Sequence, residues 1–144
     1  MTGVQTCALP ISRFHLSITP VTISWFIWFI LGRALTESFC KQLKQVYGIA
    51  DEVPEDYKNL CEVFPSFLAH ASKERPLCIV IDSLDQLTDD NGVRRFLEWL
   101  PRKLPEHACM IVSTPPKEGG CMQRLKAFGI PAEQFLQVNN SMKY

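Results

Sequence analysis

Residues 76–87 read PLCIVIDSLDQL, an apolar run that ends in an acid, with a second acid three residues further on. The five apolar residues at 77–81 are typical of a strand that is covered on both faces, as in the parallel sheet of an α/β domain. Asp82 then lies at the carboxyl edge of that sheet, where open α/β folds bind their ligands. The stretch therefore predicts an α/β fold with a candidate site at Asp82.

Two carboxylates at this edge have the layout of a Walker B element. Asp82 can hold Mg²⁺ against nucleotide phosphates, and Asp85 can orient an attacking water. An acid after a strand is also ordinary helix-entry chemistry, because it caps free backbone N–H groups. The residues alone leave both interpretations open.

The phosphate-binding partner of a Walker B element is absent from the sequence. A P-loop closes its glycine-rich turn with Gly-Lys-Ser/Thr. None of the seven glycines is followed by lysine. We therefore expect the later part of a nucleotide-binding domain, without the segment that grips the phosphates.

The rest of the chain alternates helical and strand patterns. Apolar residues at helical spacing predict helices over 34–47, 54–71, 88–100 and 121–128, and apolar runs predict strands at 108–112 and 135–138. Gly48 is placed to end the first helix, and Pro65 to kink the second. Strand–helix–strand units of these lengths are parallel and right-handed. The strand at 108–112 ends at Ser113 and Thr114, again at a carboxyl edge.

Composition indicates one globular domain and excludes some partners. The chain has 144 residues, of which 47% are hydrophobic and 21% charged. Fifteen basic and fifteen acidic residues leave no basic footprint for nucleic acid. The six cysteines form no C-x-x-C pair, so their spacing predicts neither a zinc site nor a redox pair. Cys78 and Cys109 are expected to be buried apolar side chains in the reducing cytoplasm.

The first 33 residues are harder to assign. Residues 1–11 resemble the in-frame translation of a sequencing-library adaptor, so we expect them not to be native and exclude them from fold reasoning. Residues 12–33 hold an apolar segment that is shorter than the roughly 20 residues of a bilayer span, and Pro20 interrupts its start. A membrane span is therefore not expected. A buried β-strand is the preferred interpretation, with a signal-peptide core and a mistranslated segment left open.

Three pieces of the chain, taken in order, resemble the NACHT module of STAND-class signal-transduction NTPases. They are the acidic strand at 75–87, the sequence WLPRKLP at 99–105, and MIVSTP at 110–115. Within that class the chain is most similar to NACHT proteins with WD repeats, and nephrocystin-type and telomerase-associated NACHT proteins are near alternatives. The likeness extends over 34–138, with 139–144 as a tail. It implies a partial, three-layer, parallel-sheet P-loop NTPase-like domain.

The resemblance implies roles for four residues. Asp82 corresponds to the Walker B aspartate that holds Mg²⁺, and Asp85 to the catalytic acid near the attacking water. Ser113 and Thr114 correspond to the strand end that senses the γ-phosphate, where a hydroxyl can donate to a phosphate oxygen. Many NACHT modules carry an arginine just after this strand, where Pro115 stands here, and this departure argues against strong γ-phosphate sensing.

The function that the resemblance implies is a fragment of a nucleotide-dependent switch. The intact parent would bind ATP or GTP with Mg²⁺ and hydrolyse it slowly at most, whereas this chain is expected to be inactive because it has no P-loop. The alternative is a nucleotide-independent scaffold. Expected partners are proteins, or further copies bound through the parent's repeats, with no nucleic acid or membrane. In this fold the P-loop strand lies beside the strand ending at Ser113, so we also expect a free, aggregation-prone edge there.

Overall fold

A computed structural model of the protein describes residues 4–8, 21–26, 32–88, 97–117 and 120–138. These residues contain five strands: β1 Val4–Ala8, β2 Val21–Phe26, β3 Leu77–Asp82, β4 Ala108–Thr114 and β5 Phe135–Val138. They also contain three α-helices: α1 Gly32–Tyr47, α2 Tyr57–Leu68 and α3 Cys121–Ala127. Most of the helix predicted at 88–100 and the tail at 139–144 lie outside the described residues.

The five strands form one sheet in the order β2-β3-β4-β1-β5. β2, β3 and β4 are mutually parallel, with Ile23 opposite Ile79 and Ile79 opposite Met110. This confirms the α/β class and the parallel sheet. β1 is antiparallel to both β4 and β5, so β5 points the same way as β4 and β1 alone is reversed.

The edge of β4 that was expected to be free is paired. β1 lies along it, with Cys7 opposite Val112 and Gln5 opposite Thr114. β1 therefore lies where the resemblance places the P-loop strand, but it runs in the opposite direction. The apolar segment of residues 12–33 contributes β2, which lies on the other side of β3. Whether residues 1–33 are native stays a prediction.

The hydrophobic core lies against one face of the sheet. Leu77, Ile79 and Ile81 of β3 are fully buried, and they belong to one cluster with residues of all three helices. Within it the rings of Phe39 and Phe64 stack at 5.9 Å between centroids, which packs α1 on α2. Right-handed connections between parallel strands place the described helices on this same face.

The opposite face of the sheet is less covered. The side chains that alternate with the core residues, including Cys78, Val80 and Ile111, are only half-buried. The described helices thus account for one of the two outer layers of the predicted fold.

Two helix boundaries test the sequence patterns directly. α1 ends at Tyr47 and is followed by Gly48, which adopts φ 67°, as predicted for a glycine that ends a helix. α2 begins at Tyr57 and not at Pro54, because the carboxylate of Asp56 accepts the Asn59 backbone N–H at 3.1 Å and caps the helix there. Within the described ranges, no helix is both long enough and apolar enough to cross a bilayer.

Candidate functional site

The carboxyl ends of β3 and β4 are joined by side-chain hydrogen bonds. The Ser113 hydroxyl donates to Oδ1 of Asp82, and its oxygen accepts the backbone N–H of Ser83 at 2.9 Å. The parallel register, with Ile81 opposite Val112, brings these two strand ends together. Of the four predicted site residues, Asp82 and Ser113 are therefore in direct contact.

The chain turns sharply after Asp82. Ser83 adopts the left-handed conformation, with φ 62° and ψ 54°, and a 3₁₀ turn, Leu84–Gln86, follows it. Few residues other than glycine adopt this conformation, which costs on the order of 1 kcal/mol or more. The hydrogen bond from the Ser83 N–H to Ser113 helps to hold the turn.

Asp85 lies on the 3₁₀ turn and is held locally. Its side chain is buried, and its Oδ2 accepts a hydrogen bond from Nε2 of Gln86 at 2.6 Å. A buried carboxylate that is restrained by a neighbour has a defined orientation. The place of Asp85 beside an attacking water stays a prediction.

Thr114 lies on the other face of β4 from Ser113, because successive residues of a strand point to opposite faces. Thr114 is 1% exposed and packs on the core side. Its Oγ1 has no hydrogen-bond partner among the described residues. A buried hydroxyl in that state costs about 1–3 kcal/mol. Of the two predicted γ-phosphate sensors, Ser113 is thus hydrogen-bonded to Asp82 and Ser83, whereas Thr114 is buried on the other face of β4.

The metal-binding capacity of this edge is partial. In the described ranges, no group of three or more His, Cys, Asp or Glu side chains is placed to hold a metal ion. Asp82 retains Oδ2, which none of the hydrogen bonds above uses. Mg²⁺ commonly takes one or two carboxylates and completes its shell with water and phosphate oxygens. The residues present fit that kind of binding, and they do not supply a phosphate grip.

Two residues of this edge were missed by the sequence patterns. Ser83 supplies the left-handed turn and Gln86 the donor to Asp85. No glycine or asparagine marks the turn, and a neighbouring glutamine has no motif of its own. Only the tertiary structure shows the roles of these two residues.

A pocket of about 280 Å³ is lined by residues of the segment before β4, among them Arg102, and by Arg124 and Phe128 at the end of α3. The guanidinium carbons of Arg102 and Arg124 lie 5.4 and 5.6 Å from the Phe128 ring centroid. These are cation–π distances. No sequence motif pointed to this pocket.

The chain is similar to two curated proteins that share one name. Over 107 residues, or 74% of its length, the chain is 32% identical to NACHT and WD repeat domain-containing protein 2 of Homo sapiens. It is equally similar to the protein of the same name from Mus musculus. The chain spans only 6% of the length of these relatives. No protein-family profile and no solved structure matches it.

Proposed function

We propose that the chain carries the Mg²⁺-binding part of a nucleotide-dependent switch, because it resembles NACHT and WD repeat proteins and because Asp82, the last residue of β3, contacts Ser113 near the end of the parallel strand β4. In the intact parent the nucleotide would be ATP or GTP, bound with Mg²⁺. The observation that carries the proposal is the hydrogen bond from the Ser113 hydroxyl to Asp82.

That hydrogen bond favours the metal site over helix capping. A capping carboxylate accepts backbone N–H groups of the helix that follows it. The N-cap of the 3₁₀ turn is Ser83, and no side-chain hydrogen bond caps the turn. Asp82 instead interacts across the sheet with the neighbouring strand. Its carboxylate is thereby held at the edge where α/β folds bind ligands.

Each side chain then has a separate task. Asp82 would hold Mg²⁺, directly or through water, through the oxygen that Ser113 leaves available. Asp85, oriented by Gln86, would stand near the attacking water. The buried hydroxyl of Thr114, which has no hydrogen-bond partner among the described residues, would donate to a phosphate oxygen. Mg²⁺, when bound with the nucleotide, would neutralise charge on the phosphates.

The switch would act by population shift. A nucleotide that binds one conformational state more tightly than another favours that state, and slow hydrolysis resets it. Phosphate affinity in such sites comes largely from P-loop amides and lysine, for which this sequence has no Gly-Lys pair. We therefore propose weak nucleotide binding and no hydrolysis for this chain, and switching for the parent.

The test uses the intact parent protein with Asp82→Asn and Asp85→Asn. Asp82→Asn should weaken Mg²⁺-dependent nucleotide binding about tenfold, or about 1.4 kcal/mol, because it removes the metal's carboxylate. Asp85→Asn should leave binding unchanged and slow hydrolysis. The matched control is Asp51→Asn, which removes an exposed carboxylate elsewhere.

Equal loss of binding in both variants would contradict the assigned roles and indicate a shared structural network. A parent that binds no nucleotide, yet still recruits its protein partners, would support the nucleotide-independent scaffold instead.

A further inference from the structure

Two cysteines face each other across the sheet. Cys78 of β3 and Cys109 of β4 are register partners in the parallel pair. Neighbouring strands lie about 4.8 Å apart. This spacing falls within the roughly 4.4–6.8 Å between Cα atoms that a disulfide can bridge. Register partners also project to the same face, so the side chains of Cys78 and Cys109 are neighbours there and interact electrostatically. Both are free thiols in the structure.

The two thiols differ in accessibility. They lie on the face of the sheet that the described helices leave half covered, as Val80 and Ile111 beside them show. Cys78 is half-buried, whereas Cys109 is 4% exposed. A small reagent would therefore meet Cys78 first, with Cys109 directly beside it.

The two thiols also differ in pKa, and the more accessible one, Cys78, has the lower value. The hydrogen bond with Cys109 lowers the pKa of Cys78 to about 7, and the same interaction raises the pKa of Cys109. The thiolate is the reactive form of cysteine, so Cys78 is the more nucleophilic of the two thiols at neutral pH. Burial instead raises the pKa of Cys40 to about 12, and it also raises the pKa of Cys61.

We propose that Cys78 and Cys109 form a redox-active thiol pair that reacts with hydroperoxides. The sulfur of Cys78 attacks one peroxide oxygen, the O–O bond breaks, and Cys78 becomes a sulfenic acid as the other oxygen leaves as water. The sulfur of Cys109 then attacks the sulfur of Cys78. The S–O bond breaks, and the hydroxyl leaves with the Cys109 proton as a second water.

The net reaction of these two steps is as follows. Two thiols lose two electrons and two protons, one hydrogen peroxide becomes two waters, and one disulfide joins β3 to β4. A small thiol such as glutathione would reverse it by exchange. The pair is independent of the proposed nucleotide site, so the failure of either proposal leaves the other standing.

The experiment treats the reduced full chain with hydrogen peroxide and counts free thiols under denaturing conditions. We expect a loss of about two thiols per chain, restored by dithiothreitol, with peptide mass spectrometry locating the link between Cys78 and Cys109. Cys109→Ala should stop at the sulfenic acid, which dimedone traps on Cys78. The control is the double variant Cys40→Ala/Cys61→Ala, which removes one cysteine from α1 and one from α2. It should still lose two thiols on peroxide treatment.

A second measurement needs no substitution. Phenylarsine oxide bridges neighbouring thiols and holds single thiols weakly, so about one equivalent should protect Cys78 and Cys109 together from alkylation. A peroxide-induced link between any other cysteines, dimedone on a residue other than Cys78, or independent alkylation of the two thiols would overturn the proposal.

Discussion

Asp82 and Ser113 form a contact whose energy can be measured directly. Ser113→Ala removes the donor to Asp82 and the acceptor of the Ser83 N–H. We expect a loss of about 1–3 kcal/mol in the free energy of unfolding, because a part-buried carboxylate and amide lose their partner. Urea denaturation of the full chain measures it. Ser113→Thr, which keeps the hydroxyl in a strand, should retain most of the stability, and an unchanged midpoint in the alanine variant would refute the contact.

At Thr114, in contrast to Ser113, we expect loss of the hydroxyl to stabilise the chain. Thr114→Val removes a buried hydroxyl that has no partner among the described residues, at nearly constant shape. The variant should therefore be about 1 kcal/mol more stable. In the intact parent the same change should weaken nucleotide binding if the hydroxyl donates to a phosphate.

Thr36 is the matched control for this experiment. It is also fully buried, but its hydroxyl donates to the Gly32 carbonyl at 2.9 Å. Thr36→Val should therefore give no gain in thermal stability. A loss of stability in Thr114→Val would show that its hydroxyl already has a partner in the folded chain.

The rate at which Cys78 reacts should depend on pH around neutrality. Its lowered pKa of about 7 means that the thiolate fraction rises as the pH increases from about 6 to 8. On the two neighbouring strands the residues opposite Cys78 are Thr22 and Cys109, of which Cys109 is titratable, and the raised pKa of Cys109 keeps it a neutral thiol over this range. Stopped-flow alkylation should give a midpoint near 7 in the folded chain. A midpoint near that of unfolded cysteine, about 8.5, would contradict it.

The start of helix α2 depends on a single cap. Asp56→Ala removes the acceptor of the Asn59 N–H and should cost about 1 kcal/mol of stability. Asp56→Asn should cost little, because asparagine caps equally well. Asp51→Ala, in the exposed turn before it, is the control for loss of an acidic side chain. Thermal melting followed by circular dichroism measures all three, and equal melting temperatures would exclude the cap.

The sheet as a whole depends on β1. β1 pairs with β4 on one side and with β5 on the other, so removing residues 1–8 would leave two strands with unpaired edges. We expect the shortened chain to aggregate, because β4 is apolar and carries no charged residue. Size-exclusion chromatography at several concentrations tests this against the full chain. A monomeric shortened chain with an unchanged melting transition would show that β1 contributes little.

Local patterns determined much of the architecture. The apolar runs of β3 and β4, the helical stripe of α1 and the glycine at position 48 were each readable, because burial and backbone preference act within a few residues. The order of these elements was enough to predict parallel strands ending in Asp82 and Ser113. The resemblance supplied their roles, which sequence patterns alone left open.

The tertiary structure decided what depends on residues far apart in the chain. Cys78 and Cys109 are 31 positions apart, so no spacing rule pairs them, and only the strand register brings them together. β1 lies antiparallel between β4 and β5, and this pairing likewise depends on contacts between residues far apart in the chain. The left-handed turn at Ser83 follows from its hydrogen bond to Ser113, because that contact from another strand holds a conformation that serine seldom adopts.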